Sequence, residues 1–433
     1  MRQVRVLVVG AGPAGAELTR LLARNGVDVL LVDRLADLSR AAFSSAAMPL
    51  SALDAFGLPA SVVAARWSGW ELLGPGSRRR LWTSQAPQGV VLDFAALRRW
   101  LVQEALAWGA RVWLGQRLIA AEPIPGGLRC QLQADDGSRQ EIRADWLIDA
   151  TGQERALLGD PPLGPTATRG LISGVGVEWL VEVPRSCWLR WSDRLAFALG
   201  SDWVAQGYGW VFPMQAGQLK IGVCRLIDDA TPQEPLGGVL QRLIGRLLDP
   251  GERQAMRVLD RHGGLIRSTI DRREPHRRGR LLGVGDAVST ANLLGGEGIR
   301  HALTSSRVLA PLLLEALSHD SPPLAAPMSG LSPVEASAGH HRPRCEDLSD
   351  AAERCLDRYP GALRRGLGWR WSLSGRLARR TWLGLRDTSA DRRLDRLLRS
   401  LEGRKSEVLG ELLFGYHFER YGLRALPYLI GWR

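Results

Sequence analysis

A chain of 433 residues, 45% of them hydrophobic and 24% charged, is long enough for two globular domains and too apolar to be disordered. No uncharged apolar run of about 18 residues could span a bilayer, and the five cysteines (Cys130, Cys187, Cys224, Cys345, Cys355) form no C-x-x-C pair or metal-ligand spacing, which points to free thiols in a reducing compartment. The net charge of +12 gathers at the C-terminus, where residues 361–433 hold fifteen arginines and one lysine against seven acids; with no zinc spacing or RNP-like motif beside them, these arginines do not read as a nucleic-acid site.

Val4 to Val9 is a nearly continuous apolar run, as a buried parallel strand requires, and it enters Gly10-Ala11-Gly12-Pro13-Ala14-Gly15. Gly10 allows the tight turn, Gly12 lets the backbone approach a pyrophosphate, and Gly15 lets the next helix pack close to the strand with its N-terminus toward the phosphates. A second strand, Val29 to Val32, ends in Asp33, 18 residues after Gly15, where a carboxylate can accept hydrogen bonds from a ribose; Arg34 follows it. The unit predicts a nucleotide cofactor without separating FAD from NAD(P). Because this strand begins at once, no secretory signal is expected ahead of it, and a cytoplasmic location follows.

Residues 35–47 read as a loop near the cofactor and contain Arg40. The next stretch, with Trp67, Trp70, Trp82 and Arg78-Arg79-Arg80, reads as short strands entering a second domain. Asp93 is a plausible N-cap for a helix running to about Trp108, which carries Arg98, another expected cofactor-side residue. A meander over residues 117–143 leads into an apolar strand ending Asp149-Ala150-Thr151-Gly152, small residues where a nucleotide must pass close to the backbone. Gly207-Tyr208-Gly209-Trp210-Val211-Phe212-Pro213 begins an aromatic hairpin completed by Leu219 to Val223.

A third short strand delivers Gly285-Asp286, and the glycine-rich loop through Gly296-Glu297-Gly298-Ile299 opens a helix from about Glu297. Asp286 could bind a polyol hydroxyl, and helix-start N–H groups could stabilise an anionic flavin edge. His301, one turn on, reads as a hydrogen-bonded structural histidine. The adjacent His340 and His341 would diverge on any regular element, so a metal site is not expected there. The expected division is 1–65, 91–164 and 275–320 for three parts of a cofactor domain, 66–90 for an excursion, 165–274 for a substrate domain, 321–346 for a linker, and 347–433 for an Arg-rich helical region. That last region suits a solvated helical face or a peripheral contact with an anionic membrane surface.

Three separated nucleotide segments suit an extended FAD, and with them the chain resembles the two-domain FAD-dependent oxidoreductases of the aromatic hydroxylase superfamily. Within it, the geranylgeranyl reductases carry a Tyr-x-Trp-x-Phe-Pro signature, matched by Tyr208, Trp210, Phe212 and Pro213, and a Gly-Asp-Ala then Gly-Glu-Gly-Ile segment, matched by Gly285-Asp286-Ala287 and Gly296 to Ile299. The resemblance implies a Rossmann-like domain with a central parallel sheet, a mainly antiparallel β substrate domain and a helical C-terminal region. It also implies FAD held by Gly10, Gly12, Pro13, Ala14, Gly15, Asp33, Ala150, Thr151, Gly152, Gly285, Asp286 and the Gly-Glu-Gly-Ile loop, with the aromatic motif lining a lipophilic tunnel for an isoprenoid whose C=C bonds are reduced. The sequence departs from the family in the loop after the second strand, which lacks its Cys-Gly element, and in Gln153-Glu154-Arg155, which replaces Asp-Gly-x-x-Ser.

Rival readings are a flavin monooxygenase, a lycopene-cyclase-like non-redox enzyme and a non-catalytic flavin or lipid carrier. A halogenase fits poorly because no lysine precedes Lys220, and the cyclase reading lacks an acid on the strand Leu219 to Cys224. No proton donor stands out, and with no second G-x-G-x-x-G unit the electron donor is either transiently bound NAD(P)H or a reduced ferredoxin-like protein.

Overall fold

The computed structural model describes residues 2–41, 44–159, 171–228, 232–269, 274–320 and 349–419. The expected linker, with His340, His341 and Cys345, lies outside them. The chain opens with β1 (Arg2–Val9), α1 (Pro13–Arg24) and β2 (Val29–Asp33). It continues through β3 (Ala47–Pro49), α2 (Ser51–Phe56) and β4 (Val63–Trp67) to the hairpin β5 (Gly69–Leu73) and β6 (Arg79–Thr83), and returns on β7 (Gly89–Leu92). Next come α3 (Phe94–Ala107), β8 (Arg111–Leu114) and the meander β9 (Gln116–Ile124), β10 (Gly127–Ala134) and β11 (Arg139–Asp149). Asp93 caps α3 as expected, its carboxylate accepting from Ala96 N at 2.9 Å.

A second unit holds β12 (Leu171–Glu182), α4 (Arg185–Trp191), β13 (Arg194–Leu199), β14 (Gly207–Pro213), β15 (Gln218–Leu226), α5 (Leu236–Leu247), α6 (Pro250–Ala255) and β16 (Arg257–Thr269). The chain then adds β17 (Arg277–Arg278), β18 (Leu281–Gly283) and the long α7 (Ile299–His319). It finishes with α8 (Asp350–Asp357), α9 (Tyr359–Leu367), α10 (Trp369–Gly384), α11 (Thr388–Leu401) and α12 (Ser406–Leu413).

The first sheet runs β17-β18-β11-β1-β2-β8 and is parallel from β18 to β8, with the β9–β10 hairpin continuing from β11. Parallel strands covered on both faces must be apolar throughout, and Val4, Val6, Leu7 and Val8 are accordingly buried to 1% exposure or less. Helices α1 and α7 pack tightly over it: a Cβ on Gly15 would lie 2.0 Å from Gly10 O, and Ser306 Oγ of α7 donates to Ala14 O at 2.7 Å.

The second sheet runs β16-β12-β15-β14-β13-β5-β6 and is antiparallel except at β13–β5. The period-two alternation of β14 gives it two different faces. Val211 packs with Ile221, Val223, Leu240 and Leu243 under α5, whereas Tyr208, Trp210 and Phe212 face the C-terminal helices. Those helices do more than present a charged surface: Leu394, Leu398 and Leu401 of α11, Leu409 of α12 and Trp382 of α10 join the aromatic face in one apolar core. Each such leucine, fully buried, stabilises the cap by about 1.5–3 kcal/mol before the cost of ordering it.

Candidate active site

The turn after β1 has the properties a dinucleotide needs. Gly10 sits at φ +111°, in the region where only glycine is unstrained, and its N–H donates to Val32 O at 2.8 Å. Gly12 is the N-cap of α1 without a side-chain cap, Pro13 opens the helix, and a Cβ on Gly12 would meet nothing within 4 Å. The helix therefore directs unsatisfied N–H groups and the positive end of its dipole into open space, which fits a pyrophosphate. Gly285, at φ +66°, brings the third segment against this turn: a Cβ there would lie 2.6 Å from Ala14 Cβ.

Asp33 is already engaged, accepting from Ala11 N at 2.6 Å and Leu35 N at 2.8 Å, so it braces the turn. Arg98 is buried and donates to Ala11 O (3.3 Å), Leu38 O (3.2 Å) and Arg40 O (3.3 Å), with Asp33 3.8 Å away. Its role is to clamp the two loops rather than to reach outward, and burial lowers its pKa. Arg34 and Arg40 are exposed, Arg34 standing 3.8 Å from Glu154.

Behind Ala150 and Gly152, the fully buried Asp149 organises the turn. It accepts from Thr151 N (3.0 Å), Thr151 Oγ1 (2.6 Å), Leu157 N (3.0 Å) and Leu158 N (2.8 Å), so the Thr151 hydroxyl is spent inside the protein. Asp286 accepts from Thr290 Oγ1 at 3.0 Å, and its other oxygen faces Gly298; burial pushes its carboxyl pKa up.

A small cleft at the junction of the two sheets is lined by Ser44 to Met48, Phe197, Phe212, Gly295 to Arg300, Leu413 and Phe414. The Gly-Glu-Gly-Ile loop lies here, with α7 starting at Ile299, two residues later than expected. The Glu297 carboxylate is engaged within the protein. It accepts from Arg300 Nε (2.5 Å) and Nη2 (2.7 Å) and from Tyr416 Oη (2.7 Å), and lies 3.3 Å from His301 Nε2. Arg300 also donates to Phe414 O at 2.5 Å, and His301 pairs with Tyr416 Oη at 2.9 Å. Burial alone would raise the Glu297 pKa, but Arg300 and His301 overcome it and hold it at about 2.

The aromatic motif divides. Phe212 lines the cleft, and Tyr208 lines a larger cavity with its hydroxyl 3.3 Å from where a Gly296 Cβ would be. Trp210 and Pro213, expected as substrate contacts, line neither space. Trp210 instead lies over Gly222, where a Cβ would come within 2.2 Å of its ring, and its Nε1 donates to Glu178 at 2.7 Å. Glu178 also meets His262 Nε2 at 2.8 Å. This buried acid, which sequence reasoning missed, reaches the same sheet face from β12, opposite Gly222. Lys220 lies opposite Phe212 and donates its ammonium to Ser44 O beside the cleft, where burial lowers its pKa.

The larger cavity holds about 950 Å³ between the aromatic face and the C-terminal helices. Trp70, Leu72, Phe197, Leu199 and Tyr208 form one wall; Leu377 and Trp382 of α10, Leu394, Leu397, Leu398 and Leu401 of α11, and Leu409, Leu412 and Leu413 of α12 form the other. Phe197 and Leu413 belong to both cavity and cleft, so the two spaces adjoin.

Comparison with known proteins agrees with this geometry. Residues 3–184 match the family model described as FAD binding domain. A digeranylgeranylglycerophospholipid reductase of Haloferax volcanii is 28% identical over 326 residues, 72% of this chain and 76% of that protein. The chain is an FAD-dependent oxidoreductase similar to geranylgeranyl reductases. A menaquinone reductase of Mycolicibacterium smegmatis is also 28% identical to it, over 71% of this chain and 76% of that one. In fold, the chain is similar to a geranylgeranyl bacteriochlorophyll reductase-like protein from Thermoplasma acidophilum (TM-score 0.72, 21% identity, 95% of this chain and 99% of that one). It is also similar to p-nitrophenol 4-monooxygenase from Pseudomonas putida (TM-score 0.65, 18% identity, 96% and 98%). Among its described residues no helix is long and apolar enough to cross a membrane.

Gly12→Ala places a methyl group in the open space before α1, so purified protein should retain less flavin per chain at an unchanged thermal midpoint of the flavin-free form; unchanged flavin content would contradict the pyrophosphate assignment. Because the folded Glu297 pKa lies below its ordinary 4.5, its contribution to stability is complete above that pH and is lost as pH falls toward about 2. Denaturant titrations should therefore show Glu297→Gln less stable than wild type at neutral pH, with the gap narrowing below pH 4.5.

Proposed function

We propose that the protein reduces isolated carbon–carbon double bonds of an isoprenoid chain lodged in the cavity behind Tyr208. The observation that carries this reading is an apolar space of about 950 Å³ adjoining the flavin cleft, at the upper end of the roughly 300–1,000 Å³ of small-molecule sites. The names of the relatives, a digeranylgeranylglycerophospholipid reductase and a menaquinone reductase, support the same class of chemistry.

Bound and reduced, FAD supplies the hydride. The chain itself must hold an unactivated alkene still, keep water out and provide a proton for the second carbon. The leucines of α11 and α12 and the ring of Phe197 do the first two. Tyr208 is placed for the third: its hydroxyl lies at the Gly296 loop, where cleft and cavity meet, and burial together with neighbouring Cys224 raises its pKa and keeps the proton on Oη.

Anaerobically, the dithionite-reduced protein should be reoxidised by geranylgeranyl substrates in single-turnover absorbance measurements. No acceleration by any prenyl compound, or NAD(P)H-linked oxygen uptake stimulated by an aromatic compound, would overturn the reading in favour of a monooxygenase. Tyr208→Phe should slow that reoxidation by the 10²–10⁴-fold typical of a lost proton donor and remove its solvent deuterium isotope effect, while flavin content stays at the wild-type level.

A further inference from the structure

The far end of α7 brings together three side chains that the flavin site does not use. Glu315 and His319 are exposed and stand four residues apart on this helix, a spacing that places both on one face. Helix α8 packs against α7 and supplies Cys355, which is 5% exposed and shares an apolar core with Leu356 and Tyr359. One ligand atom from each residue, a carboxylate oxygen, an imidazole nitrogen and the thiol sulfur, lies within 4.8 Å of the other two. Among the described residues no other trio of histidine, cysteine and carboxylate side chains meets in this way. The cluster is also remote from the Gly-Glu-Gly-Ile loop, roughly 24 Å along the helix from Ile299.

The chemistry of the trio selects the ion. Magnesium and calcium need a shell of oxygens, and a single carboxylate is offered here. A thiolate, an imidazole and a carboxylate suit zinc, whose bonds of about 2.0–2.3 Å set tetrahedral ligand atoms roughly 3.3–3.8 Å apart, so side-chain adjustments of about 1 Å close the site. The charges balance as well: thiolate and carboxylate together neutralise the dication, and the exposed side leaves a fourth position to water.

Two contacts compete with the metal. The Glu315 carboxylate accepts from Arg358 and from the Cys355 thiol. The Arg358–Glu315 pair is about half exposed, its side chains at 51% and 45%, and ion pairs of that kind are weak. The thiol proton leaves to solvent as the sulfur–zinc bond forms, which is the ordinary course for a cysteine ligand.

We propose that Glu315, His319 and Cys355 form a zinc site that fastens α8 to the end of α7. It does not depend on the isoprenoid reading. The Glu297 cluster ties the start of α7 to Tyr416, and zinc ties its end to α8, so this helix is held to the C-terminal region at both ends.

The test uses the full flavin-bound chain, stripped with a chelator, desalted, and reloaded with Zn2+ or Co2+. Competition against a chromophoric zinc chelator should report one tightly held zinc per chain. His319→Ala and Glu315→Gln, both at exposed positions, should each weaken it about 100-fold or more, beyond what the loss of an outer hydrogen-bond partner costs. Co2+ should add d–d absorption to the red of the flavin bands, together with a thiolate-to-cobalt charge-transfer band in the difference spectrum that Cys355→Ser abolishes. Zinc should raise the thermal midpoint of wild type and leave that of His319→Ala unmoved, with flavin content and the metal-free midpoint reporting that the variants are folded. Should Cys355→Ser fail to fold, the two exposed variants still decide. Absence of stoichiometric zinc in wild type, or zinc held equally well by His319→Ala, would overturn the site. Tight binding without a thiolate–cobalt band would remove Cys355 from the ligands and with it the link between the helices.

Discussion

The Glu297 carboxylate is the fixed point on which this molecule's two functional spaces depend. It begins in the Gly-Glu-Gly-Ile loop and ends, through Arg300, His301 and Tyr416, in the C-terminal region that roofs the larger cavity. A buried carboxylate is costly unless fully paired, and removing one partner of such a cluster leaves an uncompensated charge. The loop and the roof therefore form one cooperative unit. Trp371 and Trp382 reinforce the coupling by donating to Thr290 O and Leu293 O, both at 3.2 Å, in the segment leading to the loop.

The seven-stranded sheet works by contrast between its faces. One is an ordinary aliphatic layer under α5. The other combines a row of aromatic rings, which pack edge-on and tilted at centroid separations such as 5.3 Å for Phe197–Phe212 and 5.1 Å for Tyr208–Trp382, with the buried Glu178 and Lys220 and the partly buried His262. Trp210 connects the two kinds of chemistry, its ring filling the space over Gly222 and its N–H satisfying Glu178. A wall made this way resists collapse into the cavity, because each ring is held by a neighbour or a hydrogen bond.

The cofactor half was legible in the sequence because its constraints are local. Gly10, Gly12 and Gly15 act within a few residues of each other, and the apolar strand and the Asp93 cap have signatures that a short window contains. The reductase resemblance also came through contiguous motifs. What stayed hidden depends on long-range pairing: Glu178 joins Trp210 only through the register of β12 on β15 and β14, and Lys220 reaches Ser44 across 176 residues of sequence. The fate of Glu297 was hidden for the same reason, since its partner Tyr416 lies 119 positions away. The C-terminal arginines were read as a surface feature because their leucines, spaced for a helix, do not announce which apolar face they cover.

The Tyr416 contact also bears on how the molecule matures. Domains acquire structure from the N-terminus onward as a chain is synthesised, and here the nucleotide turn, the aromatic sheet and the flavin loop all precede the residue that fastens the roof. A growing chain thus passes through a stage in which the cleft lining up to Arg300 has been made and Leu413 and Phe414, which complete it, have not.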